Sequence, residues 1–360
     1  MNRLSFEKVF YHTDHLYHYL KYGDCYPVHM IIGLTNCCNH SCIWCYGYQT
    51  IASHFNNNQF VPAELITKTV HEAVQLGLRS LSLVGTGEPT LHPQFDKIIR
   101  ELKKIGVDIG LFTNGSLIDN YKTDAIIDTH TFIRLSCSAA NIDEHNFIHH
   151  AGRKGNDFNK IVHNIENIIQ KRKDKRFPTI GVQFSVNQHN WHSILTACKL
   201  WKEVGVDYFS LKPVYKHPNV SEHEENYAPY EKVKESMELA RALEDKKFKV
   251  YAKYEQFDKV INHSPKSRGY DKCHGQSFCT FLDPDGSLFI CGNLHGIKEF
   301  IVGNVIESGS FKSAWNGDRR KQILNILDVS KCPKGCRMDP LNLIIEDLIK
   351  PDPDIHPNFL

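Results

Sequence analysis

"VHMIIGLTNCCNHSCIWC", residues 28–45, runs from an apolar segment straight into four cysteines within nine positions. Val28 to Thr35 has the length and the β-branched content of a buried strand. The cysteines then fall at that strand's carboxyl end. In folds built on parallel strands, active groups gather at that end.

The rest of the chain supplies such a sheet. Residues 62–77 read as a helix with Leu65, Ile66, Val70, Ala73 and Val74 on one stripe, stopping at Gly77. A strand follows at 80–85. The helix 93–106 turns Phe95, Ile98, Ile99, Leu102 and Ile105 inward. Strands at 108–115 and 132–139 flank a short helical connection near 119–127. Residues 157–173 form a helix, 179–187 a strand, 191–205 a helix and 208–214 a strand. Six strands joined by helices predict a parallel sheet, as a partial barrel or an open doubly wound sheet. At the strand ends stand the cysteines, "GTGEP" (85–89), "TNG" (113–115) and "SCS" (136–138). After residue 215 the pattern changes. A charged segment leads to a helix at 230–247, then to a cysteine-bearing region at 273–336. There is no internal repeat and no low-complexity tract.

The 360 residues are 41% hydrophobic and 23% charged, enough for a full core. Net charge is +2, from 43 basic and 41 acidic residues, which gives no general field for nucleic acid or membrane. Apolar runs such as "FIRLSC" fall far below the ~20 residues of a membrane span. The opening 24 residues are too polar for a signal peptide. A cytoplasmic location is expected. There, twelve cysteines read as metal-binding or catalytic where they cluster, not as disulfides.

Cys38, Cys42 and Cys45 have the spacing C-x3-C-x2-C. Thiolates so placed can converge on three corners of an iron–sulfur cube, leaving the fourth iron open. Zinc is the rival, but a structural zinc takes four ligands and favours C-x2-C pairs. His40, the nearest fourth ligand, sits inside the tight arc. Cys37 points away in an extended turn and reads as packing.

Taken in order over residues 28–215, these motifs closely resemble the radical SAM (S-adenosylmethionine) family. The resemblance implies an α/β partial (β/α)6 barrel. It implies that Cys38, Cys42 and Cys45 hold a [4Fe–4S] cluster whose open iron is chelated by the amino and carboxylate groups of SAM. Reductive cleavage would then give methionine and a 5′-deoxyadenosyl radical that takes a hydrogen atom from substrate. A flavodoxin- or ferredoxin-type electron donor is the implied partner. "GTGEP" looks like the family's glycine-rich motif. Gly85 and Gly87 would let backbone approach the methionyl amine, and Glu88 and Pro89 would fix the turn. Asn114, Ser136 and Ser138 offer small polar groups for the ribose and carboxylate of SAM. Asn187 ends the fifth strand. Lys212 lies near the end of the sixth, within reach of a carboxylate of SAM or substrate. Trp44 would lie against the adenine or cover the cluster.

Cys273, Gly286 and Cys291, with Cys332 and Cys336 beyond, resemble the SPASM and twitch extensions of the same family. A β-hairpin is expected, with "DPDG" (283–286) as its turn. Four thiolates suggest one fully ligated auxiliary [4Fe–4S] cluster, with zinc as the alternative. Cys279 is left over as an alternative ligand, a buried small residue or a hydrogen-atom donor in catalysis. Cys137, on the fourth strand, reads as buried or SAM-adjacent, and Cys25 and Cys198 read as packing. The expected division is an extension at 1–27, the barrel at 28–215, a connecting helical/strand segment at 216–272, the cysteine-rich hairpin and helix extension at 273–340 and a tail at 341–360. The extension at 1–27 is short for a peptide-recognition domain. The set resembles twitch enzymes that oxidise or epimerise a C–H position of a sugar-like small molecule. Two other classes stay open: maturation of a ribosomally made peptide, and a non-catalytic iron–sulfur or zinc protein.

Overall fold

A computed structural model describes residues 3–45, 59–149, 157–173, 175–214, 228–261 and 268–356. One ten-stranded sheet runs through them. β1 (His29–Ile32), β2 (Ser80–Leu83), β3 (Asp108–Thr113), β4 (Phe132–Ser136), β5 (Thr179–Val186) and β6 (Tyr208–Pro213) are parallel, each beside the next. The intervening helices are α2 (Ala63–Gln75), α3 (Phe95–Ile105), α4 (Asn120–Thr129), α5 (Ile142–His149), α6 (Asp157–Arg172) and α7 (Ile194–Val204). α1 (Thr13–Tyr22) precedes the sheet. From α2 to α7 the long helices pack one on the next, forming an outer layer over one face of the sheet. Their apolar stripes explain this. α3, for example, buries Phe95, Ile98, Ile99 and Leu102 and stops at Gly106 in the left-handed region.

Two features extend the expected six strands. β7 (Lys249–Ala252) lies parallel to β6, within the stretch read as a connection. β8 (Cys279–Leu282) returns to the other edge and pairs in parallel with β1, His29 opposite Cys279. The hairpin forms as its turn suggests. β9 (Ser287–Phe289) is antiparallel to β8, the Gly286 N–H donates to the Asp283 carbonyl at 3.0 Å, and Gly286 has φ +85°. β10 (Ile301–Asn304) completes the sheet. Its two edges, β7 and β10, do not meet in the strand order, so the barrel is open. The fold is the partial barrel, with a small C-terminal hairpin and helix extension.

A second apolar cluster joins the chain's two ends. Val9, Leu16 and Tyr19 pack with Phe278, Met338, Leu341 and Ile345, the last two from α12 (Asp339–Ile349). Between β7 and α12 lie α9 (Tyr254–Ile261), α10 (Phe311–Trp315) and α11 (Asp318–Ile326), and α8 (Tyr230–Arg241) precedes β7. Among the described residues no helix is long and apolar enough to cross a membrane.

Candidate active site

The cysteine loop leaves the carboxyl end of β1 and is tied down on three sides. Cys45 N–H closes a tight turn onto the Cys42 carbonyl at 2.9 Å. Ser41 N–H and Ile43 N–H donate to the carbonyls of His149 and Ile148, at 3.2 and 3.0 Å. Those carbonyls end α5 and have no partner within the helix, so the helix end and the loop satisfy each other. Asn39 joins the loop to the β3 end, donating to Ser116 Oγ at 2.8 Å and accepting from Asn114 Nδ2 at 2.9 Å. Cys42 is held far above the usual thiol range, first by burial and then by the neighbouring Cys45 and Cys38. The three sulfurs therefore lie within electrostatic reach of one another.

The loop after β2 presses on the cysteine loop. A Cβ on Gly85 would lie 2.9 Å from Gly33 Cα. A Cβ on Gly87 would strike the carbonyl oxygens of Cys37 and Thr35. On their Cβ side both glycines face the backbone that leads into the cysteine loop, so the close approach of the two loops calls for glycine there. Glu88 locks the contact. Its N–H donates to the Cys37 carbonyl at 2.7 Å, and its buried carboxylate accepts from Thr90 N–H, Thr90 Oγ1, Thr113 Oγ1 and Asn114 N–H. Burial pushes the Glu88 carboxyl up, and these bonds hold it down against that.

The other expected residues divide into two groups. Asn114 is used within the loops, since its Oδ1 also accepts from Ser116. Ser138 is tied as well, its Oγ accepting from Ser185 N–H at 2.9 Å and its carbonyl from Asn190 Nδ2 at 2.8 Å. Ser136 is half-buried at the end of β4. Asn187 Nδ2 is buried and has no hydrogen-bond partner among the described residues, and the same holds for Oγ1 of Thr86, a residue the sequence did not single out. They stand just beyond β5 and β2 and can serve a polar ligand. Lys212 is half-buried on β6; burial first, then Lys253, Arg134 and Arg337, push it down to about 7.

α5 was not legible as an element, and it brings His149 to the site. The His149 ring is 2% exposed. Ser138 N–H donates to its Nε2 at 3.0 Å, so the ring proton sits on Nδ1, which faces Cys42 Sγ at 3.1 Å. Trp44 meets this ring edge-on with centroids 5.5 Å apart. His40 is also turned inward. Its ligand atom lies within 4.8 Å of those of Cys42 and His149, closer than its place inside the arc suggested.

The second set also comes together. Burial, then Cys336, Cys273 and Cys332, push the Cys291 thiol well up. Amide groups already face these sulfurs: Asn293 Nδ2 is 3.0 Å and Met338 N–H 3.4 Å from Cys336 Sγ, and Asn342 Nδ2 is 3.9 Å from Cys273 Sγ. Arg268 braces the loop, donating to the carbonyls of Cys332 and Pro333 and pairing with Asp339 at 2.9 Å. Cys279 is buried beside His29, at the amino end of β1 and β8, opposite to the end that bears the cysteine loop. Its Sγ accepts from Arg337 Nη2 at 3.3 Å. Cys25, Cys137 and Cys198 are buried.

Residues 32–195, a little under half of the chain, match the family model described as the Radical SAM superfamily. It is 29% identical over 186 residues to the "Probable GTP 3′,8-cyclase" of Metallosphaera sedula, covering 50% of this chain and 53% of the relative. It is 23% identical over 184 residues to the "Tungsten-containing aldehyde ferredoxin oxidoreductase cofactor-modifying protein" of Pyrococcus furiosus, covering 50% and 49%. The chain spans about half the length of these curated relatives. The crystal structure of Streptococcus suis SuiB superposes with a TM-score of 0.68 at 13% identity, over 98% of this chain and 82% of that one. Native anSMEcpe with bound AdoMet gives 0.62 at 18%, over 83% of each. At these identities the likeness is one of fold.

Proposed function

We propose that this chain is a radical SAM enzyme with one substrate-facing and one auxiliary [4Fe–4S] cluster, acting as a dehydrogenase on a sugar-like C–H position. The observation that carries this is the crowding of three thiols on one loop at the carboxyl end of β1. Thiols that oppose one another's ionisation need a shared cation before they can become thiolates, and Cys38, Cys42 and Cys45 fit a cluster with one open iron. Thr86 and Asn187 supply unused polar atoms for the SAM that would occupy that iron. Trp44 lies over the same loop. When bound, cluster and SAM would supply the electron for SAM cleavage and the radical that removes hydrogen.

Cys273, Cys291, Cys332 and Cys336 would hold the auxiliary cluster, which can take up the electron left on the substrate. One feature favours iron–sulfur over zinc there. Around a tetrahedral zinc, sulfurs lie ~3.8 Å apart. Among the described residues, the sets whose ligand atoms all lie within 4.8 Å of one another are His40–Cys42–His149 and Cys137–His145–His149, not these four. The amides of Asn293, Asn342 and Met338 face the cysteine sulfurs and would support them as thiolate ligands of either centre, so the spacing alone favours the cluster. Cys279 supports oxidation over epimerisation, because it lies at the amino end of β8 and is engaged by Arg337.

Anaerobic reconstitution is expected to give about eight irons per chain, and turnover to give a product two mass units lighter than substrate. One equivalent of zinc with about four irons would overturn the auxiliary assignment. Inverted stereochemistry at unchanged mass would overturn the dehydrogenase reading.

His149 adds a second expectation. A neutral imidazole donating to a ligating sulfur favours the reduced, more negative cluster. His149→Phe keeps the ring's packing and removes the donor, so the midpoint potential of the first cluster should become more negative. Redox titration followed by electron paramagnetic resonance checks this; an unchanged potential would show that the 3.1 Å contact is packing alone.

A further inference from the structure

β4 carries one charged side chain, Arg134. Its neighbours Ile133 and Leu135 are fully buried in the apolar core on the helix side, so the alternation of the strand turns Arg134 into the barrel. Two glycines make room for what surrounds it. Gly110 lies opposite Phe132, and Gly181 stands between Arg134 and Tyr208 in the ladder. A Cβ on Gly110 would strike the Phe132 ring, and one on Gly181 the Tyr208 ring, so each ring lies over the glycine beside it. The Arg134 guanidinium stands over the rings of Phe112, Phe132 and Tyr208, at 4.9, 5.7 and 5.8 Å, and its Nε donates to Tyr208 Oη at 3.1 Å.

With Nε used, the two terminal nitrogens make no hydrogen bond and no ion pair among the described residues, and the side chain is half-buried. Taking a cation out of bulk water without a partner is unfavourable, so this fork calls for an anion. A planar guanidinium held by rings and open at its tip suits a carboxylate, through two parallel bonds. The next row of the interior is polar. Ser136, Gln183 and Ser210 lie opposite one another on β4, β5 and β6, two residues and about 6.6 Å nearer the carboxyl ends than Arg134. Phe209 and Leu211 face the helix-side core, so Ser210 faces the barrel. Ser210 is 1% exposed and its Oγ has no hydrogen-bond partner among the described residues. The half-buried Gln183 amide has none there either.

We infer that Arg134 anchors a carboxylate of the substrate while Gln183 and Ser210 take its hydroxyl groups, which makes the substrate a sugar acid. This deepens the proposed function and rests on it. One guanidinium matches one carboxylate in charge and in plane, whereas a phosphate dianion would leave a charge over. The polar row lies between the anchor and the strand ends. The hydroxylated carbons of a substrate held in this way would therefore be the ones presented to SAM.

The test is calorimetric titration of D-gluconate, and separately of neutral sorbitol and of sorbitol 6-phosphate, into the reconstituted protein without SAM or reductant. Its result is independent of radical chemistry: failure to cleave SAM would overturn the proposed function and leave the gluconate affinity as measured. Gluconate should saturate the protein and bind at least about tenfold more tightly than either of the other two. Arg134→Lys keeps the charge and loses the fork, and should weaken gluconate at least about tenfold. Gln183→Leu should weaken it at least about threefold, and keeps the test open if the melting curve shows that Arg134→Lys does not fold. Absent saturation by about 10 mM, equal or tighter binding of sorbitol or its phosphate, or unchanged gluconate affinity in either folded variant would each overturn the inference.

Discussion

Replacing Cys38, Cys42 and Cys45 together by alanine is expected to remove about half of the iron and all reductive cleavage of SAM. The fold should survive. The loop is held mainly by backbone bonds to the Ile148 and His149 carbonyls and by Asn39, none of which involves a sulfur. The second cysteine set lies in the C-terminal extension and keeps its own amide partners, so its iron should remain. Iron and sulfide assays, with chromatographic detection of 5′-deoxyadenosine, measure both effects. Cleavage retained in the triple variant would refute the placement of the SAM site.

Gly87→Val is expected to abolish the first cluster while leaving the sheet intact. The first carbon of any side chain there would strike the carbonyls of Cys37 and Thr35. These are backbone atoms, so the collision cannot be relieved by a rotamer change. Overpacking of this kind costs about 1–3 kcal/mol. The described core stands on many other contacts, so the strain should be released by moving the cysteine loop. Iron content should fall by about half, with unchanged secondary structure by circular dichroism and loss of SAM binding. Gly87→Ala should behave similarly, because the clash is with Cβ itself. A folded variant with full iron and undiminished SAM affinity would show that the two loops can part without consequence.

Much of this was legible in the sequence, for reasons that differ by element. β1 to β6 are apolar runs separated by amphipathic helices, and that alternation needs no tertiary knowledge. The turn "DPDG" announced the β8–β9 hairpin through its own chemistry. Strand content was expected within 216–272, but the position of β7 was not legible, since "KVYA" is four residues long and begins with a lysine. α5 was missed because "IDEHNFIH" carries a weak apolar stripe over little more than two turns. With it went His149, whose contact to Cys42 joins residues more than a hundred positions apart. The cysteines and Glu88 stood out as residue types in a pattern.

The pairing of β8 with β1 has a consequence for biosynthesis. β1 forms its two ladders with partners at very different distances along the chain: β2 about 50 residues on, and β8 about 250. As the polypeptide leaves the ribosome, β1 to β6 can assemble early, but one edge of β1 keeps its backbone groups bare until residue 279 arrives. Bare strand edges invite pairing with other chains. The segment that launches the cysteine loop is therefore the last part of the barrel to be sealed. Chains truncated before residue 279 should aggregate through β1, and metal loading of the intact protein is best served after synthesis is complete.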